Sequence, residues 1–133
     1  AEDAMVDHIA SLPMMAFVSD YDHNAPSPEY LRQTNFPLYE KIRAAHPSIP
    51  YFFVTRPDFY FNEDCMERRA IIMESYLKAW RAGDRNVYFI DGSAFFNDRV
   101  DGDLTLDLTH PSDEGFALMA NYIGDVIAKV MDL

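Results

Sequence analysis

Asp107 and His110 stand three residues apart in the segment Asp107-Leu108-Thr109-His110-Pro111. A carboxylate at that spacing in a loop can fold back onto one imidazole nitrogen. The other nitrogen then faces outward, able to take a proton from a nucleophile. The pair therefore reads as the base (His110) and the orienting carboxylate (Asp107) of a nucleophilic triad. Pro111 would end the loop rigidly, and Ser112 follows as a helix N-cap. Asp113 and Glu114 suit the positive end of that helix. A plain alternative stands beside this reading. His110 would be a helix-flanking histidine bonded to backbone, and Asp107 a loop carboxylate closing an Asx-turn.

A second polar segment, Asp20-Tyr21-Asp22-His23-Asn24-Ala25-Pro26, follows the first apolar run. Asn24 can donate its side-chain N–H to a developing oxyanion. Asn and Asp before Pro are also ordinary turn formers. His23, flanked by Asp20 and Asp22, is a rival for the catalytic base, though no helix start fixes it. Tyr21, Phe59, Tyr60 and Phe61 could line an acyl or sugar site or simply pack the loops. Asp101, Asp103, Thr105 and Asp107 alternate like the early ligands of a calcium loop. Leu106 and Ser112 occupy the positions where such a loop needs Gly and Glu, so a solvated acidic loop fits better.

The elements that must hold these loops show as apolar runs alternating with helical periodicity. Met14 to Val18, Tyr51 to Val54 and Val87 to Ile90 are continuous apolar runs, as expected of strands covered on both faces. Ser27 caps and Pro28 starts a helix. Pro37 is expected to interrupt or restart it near Phe36, with Leu38, Ile42 and Ala45 buried and His46-Pro47 closing it. A second helix spans about 63–82, with Met66, Ala70, Met73, Leu77 and Trp80 as its buried stripe, widened by Ile72 and Tyr76. Gly83 is placed to cap it. A third spans about 113–131 and would bury Phe116, Met119, Ala120, Ile123, Ile127 and Val130. Strand and helix alternating three times predict a parallel three-layer α/β sandwich, with residues 1–133 as one domain. In such folds ligands sit outside the carboxyl ends of the strands, where both polar segments fall.

The chain's 133 residues are 49% apolar and 14% aromatic, a globular composition able to bury a core. A formal net charge of −11 disfavours nucleic acid and anionic membrane surfaces. No apolar run reaches the ~18 residues needed to span a membrane. Cys65 is the single cysteine, which excludes an internal disulfide and a cysteine-based zinc site. It leaves a secreted or periplasmic location open.

Asp107, His110 and Pro111 match the Asp-x-x-His-Pro block near the C-terminus of SGNH/GDSL-type hydrolases. Gly115-Phe116 with Met119-Ala120 resembles that family's closing helix. Similarity continues through Arg68-Arg69, Tyr76, Gly83-Asp84 and Phe89-Ile90-Asp91-Gly92, so the resemblance covers about 14–128. It implies a flavodoxin-like α/β/α sandwich and a serine esterase or acylhydrolase acting on small acyl esters, such as carbohydrate acetyl groups or lipid esters. His110 and Asp107 would be catalytic, no cofactor or metal would be needed, and Asn24 would match the oxyanion Asn of the family's Gly-x-Asn-Asp block. Asn24 departs from that block in lacking the Gly before it and the Asp after it.

In the family the nucleophilic Ser follows the first strand, and a Gly after the second adds an oxyanion donor. Neither block is present, and no Gly-x-Ser occurs anywhere. The chain, beginning at Ala1 without Met, therefore reads as the C-terminal portion of such a domain, lacking its first strands and its serine. Met14 to Val18 would then be an exposed edge, inviting a homodimer or association with the chain's own N-terminal part. The rival reading is a non-catalytic α/β interaction module or an inactive fragment.

Overall fold

The structure is a computed structural model and describes residues 2–57, 63–96, 104–107 and 109–133. Three parallel strands, β1 (Phe17–Ser19), β2 (Tyr51–Val54) and β3 (Val87–Ile90), lie side by side in chain order. Phe17 pairs with Tyr51, and Tyr51 with Val87. Among the described residues four α-helices flank the sheet: α1 (Asp3–Ser11), α2 (Pro28–Ala45), α3 (Glu63–Arg81) and α4 (Asp113–Met131).

The two faces of the sheet follow from the period of two along each strand. Tyr51, Phe53 and Val87 pack with Leu31, Leu38, Ile42, Ile71 and Ile72 beneath α2 and α3, and Val6 of α1 joins them. Phe52, Val54 and Ile90 point the other way, against Met119, Ile123 and Ile127 of α4. All four β2 residues are fully buried. Burying each of Phe52, Phe53 and Val54 contributes about 1.5–3 kcal/mol. The three-layer sandwich expected from the alternation is what forms.

Local chemistry sets most helix ends. Ser27 caps α2 by accepting from the Tyr30 N–H. Ser112 caps α4 by accepting from Gly115 N–H at 3.2 Å. Gly83, at φ 102°, ends α3 in the left-handed region that glycine tolerates.

Five sequence expectations are corrected. The first strand spans Phe17–Ser19 rather than Met14 to Val18, and as an edge strand it leaves Val18 exposed, with Met15 before it. Helix α2 runs unbroken through Pro37, which lies on its exposed side, where water can take the carbonyl that loses its partner. Its buried face carries Leu31, Asn35, Leu38, Tyr39 and Ile42, while Ala45 is exposed. In α3 the buried face carries Cys65, Arg68, Ile71, Ile72, Ser75 and Ala79; Met66 and Trp80 are exposed. Ile72 is buried and Tyr76 packs on the core as expected, but the inner face turns away from Met66, Ala70 and Trp80, because the polar Arg68 and Ser75 belong to it. Ser75 is satisfied there by the Asn35 amide at 2.9 Å. In α4, Phe116 is 57% exposed and Ala120 is exposed as well, so neither is core. Helix α1, for which no apolar stripe was read, is fastened to α2 by contacts such as the His46 ring nitrogen Nε2 to the Ala10 carbonyl at 2.9 Å.

Candidate active site

The segment from Leu104 to Ser112 doubles back on itself. Thr105 and Pro111 form an antiparallel bridge, Leu106 N–H donates to the His110 carbonyl at 2.9 Å, and Ser112 N–H to the Leu104 carbonyl at 2.9 Å. Asp107 sits at the tip. Its Oδ1 accepts the backbone N–H of His110 at 2.7 Å and of Thr109 at 3.1 Å. Its Oδ2 lies 2.6 Å from His110 Nδ1. The His110 N–H, the His110 ring and the Thr109 N–H together pull the Asp107 carboxyl down to about 2. With the ring proton on Nδ1, Nε2 is left as the basic nitrogen. The Asx-turn expected of Asp107 forms, and it is what brings the carboxylate to the His110 ring.

Close packing places the loop against α4. A Cβ at Gly115 would stand 2.3 Å from the Leu104 carbonyl oxygen, so only glycine lets the first turn of α4 approach.

The other half of the site follows β1. A short 3₁₀ turn, Asp22–Asn24, carries Asn24 at the C-terminal end of the sheet. A cleft of about 320 Å³ is lined by His110, Thr109 and Pro111 from one loop and by Asp20, His23 and Asn24 from the other. Pro57, Phe116 and Met119 complete its wall. The structure thus brings His110, Asp107 and Asn24 to one place across some 80 residues of chain. No serine lines this cleft among the described residues; Ser19 is buried at the end of β1 and lines a separate apolar groove.

His23 shares the cleft but is held differently from His110. Burial and the positive charges of Arg56 and Arg68 push its imidazole down to about 4. Its Nε2 is buried without a hydrogen-bond partner. The neighbouring Asp22 does not serve it as an orienter: one oxygen accepts Arg56 N–H at 2.8 Å, and the other faces Arg68 at 3.4 Å. Burial raises the Asp22 carboxyl, opposed by Arg56 and Arg68. This inner cluster escaped the sequence reading, because 46 residues separate Arg68 from Asp22.

The end of β3 is locked to the end of β2. Gly92 N–H donates to Thr55 Oγ1 at 2.7 Å, and Arg69 pairs with Asp91. Tyr21 is half-buried against the core rather than in the cleft. Phe59, Tyr60, Phe61, Asp101 and Asp103 lie outside the described residues. No cluster of three or more potential metal ligands occurs among the described residues. No helix among them is long and apolar enough to cross a membrane.

A model of the GDSL-like lipase/acylhydrolase family matches residues 1–128. Among solved structures, a crystal structure assigned as a GDSL-like lipase from Bacteroides ovatus ATCC 8483 is 26% identical, with a TM-score of 0.83 over 98% of this chain and 40% of that one. The salicylyl-acyltransferase SsfX3 from a tetracycline biosynthetic pathway shares the fold at 17% identity and a TM-score of 0.77, over 99% of this chain and 42% of its own. A family two carbohydrate esterase from Clostridium thermocellum, in complex with cellohexaose, shares it at 21% identity and a TM-score of 0.65, over 80% of this chain and 31% of its own. The chain thus spans well under half the length of these structures. Among curated proteins no match was found.

Proposed function

Because the chain belongs to the GDSL-like lipase/acylhydrolase family, we propose that it supplies the histidine, aspartate and oxyanion side of a serine-dependent ester hydrolase. The observation that carries this is the 2.6 Å contact of Asp107 with His110 Nδ1, in a cleft that Asn24 also lines. His110 Nε2 takes the proton of the serine hydroxyl as its oxygen bonds to the ester carbonyl carbon. Asp107 stabilises the imidazolium formed. Asn24 donates its amide N–H to the carbonyl oxygen as that becomes negative. His110 then returns the proton to the departing alcohol, and water, activated in the same way, clears the acyl-enzyme. The reaction drawn uses no metal or organic cofactor. Small acyl esters, among them carbohydrate acetyl groups and lipid esters, are the substrates this reading takes.

The serine comes, in this proposal, from outside these 133 residues. The absence of a serine from the described cleft wall supports that placement. So does the apolar groove along the open side of β1. It measures about 440 Å³ and is lined by Met5, Val6, Ile9, Phe17, Val18 and Leu38, and it reaches Asp20 and Asn24. An added strand would cover it and end beside the cleft. Light scattering of the purified chain tests the edge: association, with a second copy or an added serine-bearing segment, is expected, and a monomer that binds neither counts against it.

Capture with a fluorophosphonate probe from the source organism tests the whole reading. Peptides of this sequence should be enriched, with the labelled serine on a peptide outside it. A label on one of the chain's own seven serines, Ser19 foremost, overturns the placement of the nucleophile. No enrichment overturns the hydrolase.

A further inference from the structure

Arg68 belongs to α3, yet its guanidinium lies inside the turn that carries Asn24. Nη1 donates to the backbone carbonyl of Asp22 at 2.9 Å and to that of Ala25 at 3.1 Å. These two carbonyls bracket His23 and Asn24, so one nitrogen fixes both ends of the segment. The same nitrogen faces Asp22 Oδ1 at 3.4 Å, while Asp22 Oδ2 accepts the Arg56 N–H just beyond β2. Turn, strand end and helix are thereby joined at one point. Arg68 is 5% exposed and Asp22 0%.

Such a pair is a poor way to gain stability. Removing two charges from water is costly, and apolar replacements of buried pairs are often neutral or stabilising. What the cluster does supply is register. The turn has little structure of its own: Asn24 N–H bonds to the Tyr21 carbonyl at 3.0 Å and Ala25 N–H to that of Asp22 at 3.3 Å. A side-chain amide must sit about 2.7–3.1 Å from the position the oxyanion takes, and displacement by about 1 Å can cost 10²-fold in rate.

We infer that Arg68 is a positioning residue for Asn24, holding the Asp22–Ala25 turn so that the amide faces the His110 cleft. This rests on the reading of Asn24 as the oxyanion donor. Arg68 would touch no reacting atom; it acts through the backbone on either side of the one that does.

Amide exchange and side-chain NMR on the labelled chain test it without turnover. Two variants serve: Arg68→Lys, which keeps a cation near Asp22 without the planar fork, and the charge-neutral Arg68→Met with Asp22→Asn. In both, exchange at His23, Asn24 and Ala25 should quicken about tenfold or more, and the Asn24 side-chain signal should move. Phe52 to Val54 in β2 should keep their protection. Unchanged signals at Asn24 overturn the inference. Equal loss of protection in β2, or failure of both variants to fold, also overturns it, because Arg68 would then serve stability alone. Turnover by the protein carrying its serine separates this from the parent reading. Arg68→Lys should lower kcat about 10- to 10²-fold with KM nearly unchanged. Wild-type kcat in Arg68→Lys beside a slow Asn24→Ala refutes the positioning role. Wild-type kcat in Asn24→Ala refutes the oxyanion role itself.

Discussion

Asp107 holds His110 at two points. One carboxylate oxygen accepts the backbone N–H at 2.7 Å, and the other meets the ring Nδ1 at 2.6 Å. A single side chain thus sets both the turn and the imidazole tautomer, on a loop where both residues are exposed. The turn survives as long as the carboxylate is ionised. Its folded pKa, about 2, lies below the ordinary 3.8. The contact is therefore complete above the ordinary value and lost as pH falls through the folded one. An NMR titration of the Asp107 carboxyl should find its midpoint near 2; a midpoint at 3.8 means the turn does not hold in solution.

Asp107→Asn keeps an oxygen for the backbone N–H groups but cannot accept from Nδ1–H. The ring should switch tautomer, with turnover falling about 10⁴-fold and little change in thermal midpoint. Hydrolysis of p-nitrophenyl acetate by the protein carrying its serine reads this directly. A loss below tenfold would remove the pair from the mechanism.

Asn24→Ala should reduce kcat about 10²- to 10³-fold, the usual cost of losing one oxyanion donor, with KM little changed. If KM rises and kcat stays, Asn24 binds the ground state and the oxyanion donor lies elsewhere.

His23 gives the fold a pH dependence of its own. Its folded pKa, about 4, lies below the ordinary 6.5. The unfolded chain therefore binds a proton that the folded chain refuses. Its contribution is whole above 6.5 and disappears as pH falls toward 4. Urea unfolding at neutral pH and near the folded pKa should show a smaller loss for His23→Gln than for wild type. Equal losses would place the imidazole in water.

Gly115→Ala would set a methyl 2.3 Å from the Leu104 carbonyl oxygen and 3.1 Å from the Pro111 ring. Neither obstacle can swing aside. Expected is a loss of about 1–3 kcal/mol, together with a shift of the His110 ring signals as the loop gives way. A variant as stable as wild type, with those signals unmoved, would show that the loop does not rest on α4.

The Asp107–His110 pair was legible because its logic is local. Asp107, His110 and Pro111 make their turn within a few residues, and Ser112 caps α4 through an oxygen three residues from its partner. The apolar runs Tyr51 to Val54 and Val87 to Ile90 coincide with β2 and β3, since burial on both faces leaves no polar alternative; the run Met14 to Val18 marks only the approach to β1, whose Val18 is exposed. What tertiary structure alone decided concerns residues whose partners are distant in the chain. Arg68 and Ser75 face inward only because Asp22, Ala25 and Asn35 wait for them there, which turns α3 away from the stripe of Met66, Ala70 and Trp80. Pro37 stays within α2 because packing on both sides of it outweighs one lost hydrogen bond. Asn24 and His110, weighed separately in the sequence, share a cleft because the crossovers of a parallel sheet carry both loops to the same end.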